Sequence, residues 1–382
     1  MTGLNALAVD RTDDQVTVPA SDTARYAEPE GGHKTMKALS ISAKERLDLV
    51  EIAKPTAGAG EVVVRVAYCG ICGSDFPRYF EGDVHAFPQI VGHEFSGVVE
   101  SVAADVTSIV PGTPVAVAPL VPCGTCSSCE LGRPALCSNY SFVGSRQQGA
   151  LAEYVSVPAD NAVPLPESVT LRDAALIEPL TVAIHGIERV SLREGARVAV
   201  FGAGVIGLMT AMVLKARGAG EVVVVDIQPD KLTLAKELGA DVTVLAHSTE
   251  VDEYFSTHEP PELCIETAGS SVTQAQAVQH CAKGGQVVFV GTSTRDVVFS
   301  PEVFGKILRG ELNVTGSWMS YSAPFPGTEW TDALRLIESG AVQIAPLVTR
   351  IYSLEDGAQP FLDVRASKGS LLKVLYRIGG DL

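Results

Sequence analysis

Cys123, Cys126, Cys129 and Cys137 fall within one short segment of the chain. Two-residue gaps let neighbouring thiolates turn toward a single ion, and a fourth thiolate closes a tetrahedral site. Gly124, Ser127, Ser128, Gly132 and Pro134 lie between them, so a compact knuckle is sterically easy. Two disulfides or an iron–sulfur site would draw on the same thiols, but nothing suggests export, which disfavours disulfides. Structural zinc is the expectation. An ion saturated by four thiolates has no open position, so any metal-assisted chemistry needs a second set of ligands.

The chain has 382 residues, the length of two ordinary domains, and 46% hydrophobic residues supply a large core. No apolar run reaches the roughly 20 residues of a membrane span. The N-terminus lacks a basic patch followed by an apolar stretch, so no signal peptide is read and a cytoplasmic location is expected. A net charge of −16 argues against nucleic acid or an anionic membrane as partner. It does not exclude an anionic small molecule, because a local pocket can be positive inside an acidic protein.

Residues 1–35 are rich in Asp, Thr, Pro, Ala and Glu and read as a disordered extension. Residues 36–184 are strand-like, with Gly and Pro at short intervals, as in a β-rich barrel-like domain from which the cysteine lobe projects. Over 185–320 the rhythm alternates. Strands are expected at 198–201, 221–226, 242–245, 263–266, 286–290 and 312–314, with helices at 205–217, 229–238 and 271–282. Such alternation predicts a doubly wound parallel sheet covered on both faces. Residues 321–382 contain a helix at 329–339 and a strand at 371–376, and are expected to return to the first domain.

The run Gly202, Ala203, Gly204, Val205, Ile206, Gly207 follows one expected strand and opens the next helix. The first glycine permits a tight turn, the second lets backbone approach a pyrophosphate, and the third lets helix pack on strand. Amides at the helix N-terminus favour phosphate. Asp226 ends the following strand, where a carboxylate suits two ribose hydroxyls and repels a 2′-phosphate; NAD is therefore expected over NADP. Lys231 either lies along the adenosine or is a solvated helix charge.

Candidates for a second metal site are Cys69, Cys72, His93 and Glu94, with Glu178 standing in an apolar stretch. The run Gly70-Ile71-Cys72-Gly73-Ser74-Asp75, then Gly92-His93-Glu94, the cysteine quartet and the glycine-rich turn occur in this order. In that order they resemble the zinc-dependent medium-chain alcohol and polyol dehydrogenases, over nearly all of residues 36–382. The resemblance implies a GroES-like catalytic domain joined to a Rossmann domain. It implies Cys72, His93 and Glu178 as ligands of a catalytic zinc with an open position, and Glu94 as an outer or exchanging ligand. It implies two zinc ions per subunit, hydride transfer to NAD, and Ser74 as a hydroxyl relay. Several relatives carry a histidine five residues after the catalytic cysteine; here that residue is Pro77, so proton release must use water, Glu94 or the cofactor ribose.

Further stretches around Arg78, Arg146, Glu178, Lys306 and Trp318 resemble the members acting on hexitol phosphates such as galactitol 1-phosphate. Oxidation of a secondary alcohol of a polyol phosphate to a ketose is the implied reaction. The alternatives are an unphosphorylated polyol or cyclitol, and a zinc-stabilised dinucleotide-binding regulator without turnover. Arg78 and Arg146 are the candidate phosphate ligands, since guanidinium geometry suits bidentate contact; pairing with a structural carboxylate is the competing role. Tyr79, Trp318 and Tyr321 could face a polyol or simply pack, and His85 is a further pocket candidate. Lys306 and Arg309 could serve the cofactor or a subunit edge. The family resemblance also implies a homodimer or homotetramer paired along the strand at 312–314.

Overall fold

A computed structural model describes residues 34–247 and 249–379. The expected extension over 1–35 lies, up to residue 33, outside the described residues; Thr35 already opens the strand Thr35–Ala43.

A near-continuous apolar run, with Val62, Val63, Val64 and Val66 all buried, makes Glu61–Gly70 the longest strand of a seven-stranded sheet. Its register pairs it antiparallel with Glu94–Val102 on one side and with Tyr154–Pro158 and Lys373–Arg377 on the other. The last of these strands comes from the far end of the chain, with Leu375 opposite Gly70 and Tyr376 opposite Cys69. It begins at Lys373 rather than 371. A separate hairpin, Thr35–Ala43 with Arg46–Ala53, covers one side.

The second sheet has six parallel strands. Their spatial order is Val242–Leu245, Glu221–Asp226, Arg197–Phe201, Leu263–Glu266, Gln286–Phe289, Asn313–Gly316. The chain order reverses between Arg197–Phe201 and Leu263–Glu266, and a crevice opens at the carboxyl ends of strands at such a switch point. The central strands Glu221–Asp226 and Arg197–Phe201 are rich in buried Val, as burial on both faces demands. The edge strand begins at Asn313 and runs to Gly316, beyond the expected 312–314. Two helices not placed from the sequence, Glu250–Thr257 and Pro301–Arg309, complete the layers.

The helix Ile177–Glu188 joins the two sheets. Ile177, Leu180, Ala183, Ile184 and Ile187 are buried in one cluster with Tyr68 and Ala116 of the first sheet, Val198 of the second, and Leu208 and Met212 of the helix Val205–Ala216 that packs on it. A shared core of this kind holds the two sheets in a defined relation.

Gly97 lets Glu94–Val102 approach its neighbour: a Cβ there would stand 2.2 Å from the Arg65 carbonyl oxygen. Gly97→Ala is expected to destabilise the fold by about 1–3 kcal/mol through backbone displacement, read as a lower urea midpoint at unchanged m-value.

Candidate active site

The chain leaves the strand Glu61–Gly70, passes Cys72, and enters the helix Asp75–Glu81. Asp75 is buried and anchors this turn. Its Oδ2 accepts from the Cys72 amide at 3.0 Å and its Oδ1 from Arg78 Nη1 at 2.7 Å. The same Oδ1 lies 3.7 Å from His93 Nδ1, a buried nitrogen without a hydrogen-bond partner. His93 is brought to this point by Gly92, whose φ is +99° and where a Cβ would stand 2.7 Å from Cys69 Sγ. Cys72, His93 and Glu94 each offer a donor atom within 4.8 Å of the others.

Glu178 stands just outside that group, at the start of the helix Ile177–Glu188. Burial pushes its carboxyl up to about 8; His93 opposes the shift, while Glu94 and Cys72 reinforce it. Burial likewise pushes the Cys72 thiol up to about 11, with Glu94 and Asp75 adding to the effect. Ser74 accepts from Arg78 Nη1 at 3.1 Å, and its hydroxyl weakly opposes the rise of the Cys72 thiol. Besides Arg78, Lys373 brings a cation into this acidic centre. Lys373 Nζ donates to Glu94 Oε2 at 2.6 Å and to the Ile71 carbonyl at 3.1 Å, with only 5% of its side chain exposed. Burial lowers its pKa, but Glu94 and Cys72 outweigh that and hold it above the ordinary lysine value. A thiol, an imidazole and two carboxylates against one ammonium form a donor set that a dication fits, in number and in charge.

The quartet converges as expected. Cys126 Sγ lies 3.5 Å from Cys129 and 3.8 Å from Cys137, and Cys137 lies 3.4 Å from Cys123. Four sulfurs about 2.3 Å from a tetrahedral zinc would be about 3.8 Å apart. The backbone amides of Cys129 and Ser138 draw the Cys126 thiol down to about 5. Desolvation, together with the Cys126 and Cys137 sulfurs, pushes Cys129 up to about 12.

At the switch crevice Gly202 has φ +102°, and a Cβ on Gly207 would stand 1.8 Å from the Gly202 carbonyl oxygen. Both positions therefore require glycine. Gly204 caps the helix Val205–Ala216, which also carries Ile206. Asp226 Oδ2 accepts from the Ala203 amide at 2.6 Å and Oδ1 from the Gln228 amide at 2.8 Å. Its carboxylate is thus held beside the glycine turn. Lys231 lies near the 367–370 turn, where a Cβ on Gly369 would be 3.5 Å from its Nζ.

The substrate candidates divide. Tyr79 is not at the crevice: it is 4% exposed, with its ring packed between Phe80 and Phe361. The bulky aromatic belongs to the core under the helix Asp75–Glu81. Arg78 is committed inward to Asp75 and Ser74. Arg146 lies over the Tyr140 ring at 4.3 Å and has no carboxylate in ion-pair range among the described residues. It sits in a tight turn whose base, Phe142, accepts from the amides of Ser145, Arg146 and Gln147. The Phe142 ring meets His93 edge-on at 5.6 Å. His85 has its pKa lowered by burial and then by Arg146 and Arg78. Tyr321 is buried and accepts from the Leu120 amide at 3.3 Å, whereas Trp318 is exposed.

Sequence reading missed Lys373 and gave Asp75 no role. No spacing rule links a lysine near the C-terminus to a glutamate near residue 94. The signal available for Asp75 was its place three residues after Cys72.

A parallel sheet with a glycine-turn crevice, set beside a buried thiol–imidazole–carboxylate group, defines a two-domain oxidoreductase architecture. Residues 58–167 match the alcohol dehydrogenase GroES-like domain, and residues 205–339 match the zinc-binding dehydrogenase family. The galactitol 1-phosphate 5-dehydrogenase of Escherichia coli K12 is 39% identical over 319 residues, covering 82% of this chain and 92% of that protein. The crystal structure of the Escherichia coli galactitol-1-phosphate dehydrogenase superposes with a TM-score of 0.86 at 38% identity, covering 90% of this chain and all of that one. D-xylulose reductase A of Aspergillus niger is 33% identical over 321 residues, 81% of this chain and 87% of its own length. An alcohol dehydrogenase from Escherichia coli CFT073, solved in complex with NADH, is 30% identical, with a TM-score of 0.83 over 90% of this chain and 99% of that one. The chain belongs to the zinc-binding medium-chain alcohol and polyol dehydrogenases, and is an oxidoreductase.

Cys126→Ser is expected to lower the bound zinc by one ion per chain. It is also expected to lower Tm by several degrees, each kcal/mol being worth about 2–4 °C in a domain of this size. Metal analysis and a thermal melt of the same sample check both, with NADH binding at low temperature retained.

Proposed function

We propose that this protein oxidises a secondary alcohol of a polyol phosphate to a ketose, passing hydride to NAD. The observation that carries the reading is the buried group of Cys72, His93 and a glutamate beside a glycine-turn crevice. In this reading Cys72, His93 and Glu178 hold a catalytic zinc, and Cys123, Cys126, Cys129 and Cys137 a structural one. When bound, the catalytic ion supplies a Lewis acid that lowers the pKa of a substrate hydroxyl, and NAD supplies the hydride acceptor.

The remaining work belongs to side chains. Asp75 fixes the Cys72 turn and faces His93, orienting both. Ser74, exposed beside the Cys72 sulfur, is placed to pass the hydroxyl proton outward. Pro77 can carry no proton, so the route from Ser74 continues through water or the cofactor ribose. Gly202, Gly204 and Gly207 give the pyrophosphate access to backbone amides, and Asp226 selects the two ribose hydroxyls of NAD over a 2′-phosphate. On the same reading residues 36–184 and 321–382 form the catalytic unit and 185–320 the dinucleotide unit. Self-association along the edge strand Asn313–Gly316, beside exposed Phe304 and Leu308, belongs to it too.

Arg146 supports the phosphate. In a chain of net charge −16 it is an arginine without a carboxylate partner among the described residues, in a turn whose base contacts His93. Together with Arg78 it also disfavours a proton on His85, as a site prepared for an anion would. The first test compares kcat/KM on galactitol 1-phosphate with that on galactitol, sorbitol and threitol, with NAD and with NADP. Higher efficiency without the phosphate would replace this reading by that of an unphosphorylated polyol dehydrogenase. Arg146→Gln is expected to lower kcat/KM for the phosphate ester about tenfold to a hundredfold, the worth of a hydrogen bond to a charged group. Its activity on a free polyol is expected to stay within about twofold of the parent, since only the phosphate contact is lost.

A further inference from the structure

Between the cysteine lobe and the end of the helix Ile177–Glu188 lies a cavity of about 300 Å³, within the usual range for small-molecule pockets. Three separate pieces of the chain wall it. The lobe supplies Arg133, which stands between Cys129 and Cys137. The helix end supplies His185 and Arg189, and the turn after the edge strand supplies Trp318 and Ser322. The pieces are close, since a Cβ on Gly132 would stand 3.1 Å from the Ala323 Cβ. His185 comes two turns after Glu178 on the same helix, about 10 Å further along its axis. None of Cys72, His93, Glu94 or Glu178 lines the cavity. Buried Tyr321, which senses the Glu178 charge, stands in its wall.

The groups that face this space are cationic or able to become so, and no Asp or Glu lines it. Among the described residues the Arg133 guanidinium has no carboxylate in ion-pair range. Arg189 uses Nε on the Gly316 carbonyl at 3.3 Å, which leaves both terminal nitrogens unengaged. Its neighbour Glu188 is taken by Arg217 at 2.9 Å. His185 Nδ1 lies 2.7 Å from Glu329 Oε1, and that carboxylate, 1% exposed, also accepts from the Ser322 hydroxyl at 2.7 Å. A buried carboxylate on one ring nitrogen fixes the ring and leaves the other to act as donor. Two arginines and an oriented imidazole around a space without a carboxylate suit a guest that brings the negative charge, even in a chain of net charge −16. Forked guanidinium donors match the oxygens of a phosphate. We infer that this cavity binds a phosphate group, inorganic or carried by a small ester, between Arg133, Arg189 and His185. Its guest ties the cysteine lobe to the helix that joins the two sheets. The inference stands apart from the catalytic zinc reading, since no residue of that site takes part.

The chain supplies its own probe. It has two tryptophans, of which Trp330 is 1% exposed in the core and Trp318 is 53% exposed in the cavity wall. Inorganic phosphate is titrated into the full chain, with ionic strength held constant by KCl. A saturable change in tryptophan emission is expected, and it is expected to vanish in Trp318→Phe. Arg133→Gln and Arg189→Gln are each expected to raise the Kd for phosphate about tenfold to a hundredfold, the worth of a hydrogen bond to a charged group. Both side chains are exposed, so both variants are expected to fold. Arg146→Gln is expected to leave this Kd within about twofold.

Galactitol 1-phosphate then separates the two sources of the phosphate. If the Arg133 and Arg189 variants lower kcat/KM for that ester but not for a free polyol, the cavity seats the substrate's own phosphate and takes that role from Arg146. If kcat/KM for the ester stays within about twofold, the guest is free phosphate at a second site. The inference is overturned by a Trp318 signal that does not saturate at tens of millimolar phosphate. It is equally overturned by a Kd that neither arginine substitution moves. Failure of all turnover with an intact phosphate titration would remove the catalytic reading and leave this one standing.

Discussion

Negative charge without solvent is the constraint on which this molecule is organised. Cys72, Asp75, Glu94 and Glu178 gather in a space from which water is largely excluded. Isolated buried anions are prohibitively costly, so each must be protonated, paired or bound to a cation. Two solutions coexist here. Asp75 is paired with Arg78 and accepts a backbone amide; Glu94 is paired with Lys373; Cys72 and Glu178 are pushed toward their neutral forms. Among the described residues the last two have no Lys or Arg in ion-pair range, and so are the ones a metal ion would relieve. The quartet meets the same constraint near the surface with sulfur alone, and without leaving room for anything else.

Architecture follows from where those charges must stand relative to the dinucleotide crevice. The helix Ile177–Glu188 carries Glu178 at its first turn and packs its apolar face against both sheets. A displacement between sheets is therefore a displacement of Glu178 relative to Cys72 and His93. The carboxyl ends of the parallel strands, the glycine turn and Asp226 lie on the other side of this helix's core. Catalytic geometry and cofactor geometry share one packed element, which explains why Leu180, Ala183 and Ile184 are wholly buried although none touches a reacting group.

Much of this was legible in the amino-acid sequence, for identifiable reasons. The quartet and the glycine turn are local: their function depends on spacings of a few residues, and spacing is what a sequence displays. The parallel sheet was legible through its alternating rhythm, though the edge strand was placed too early because Leu312 looked more strand-like than Gly316. The helix Pro301–Arg309 was hidden by its one-sided pattern, with Phe304 and Leu308 facing solvent. Tyr79 kept two roles open because proximity to Cys72 in the chain says nothing about which face of a short helix a ring takes; the fold gives it the packing role. Lys373 was beyond reach. Its partner is fixed by strand order, and only the folded sheet reveals that two strands so distant in the chain flank Gly70.

The position of the strand Lys373–Arg377 bears on how the protein is made. Synthesis is vectorial, and domains generally fold as units while the chain is still emerging. The six parallel strands are complete once residue 316 has appeared. The catalytic sheet is not, because its position beside Glu61–Gly70 stays vacant until residues 373–377 leave the ribosome. Until then Glu94 lies at an unfinished sheet with its lysine still undelivered. The nascent chain thus carries a formed nucleotide-binding half and an unfinished reactive half. The reactive half is completed only when the strand Lys373–Arg377 takes its place beside Glu61–Gly70.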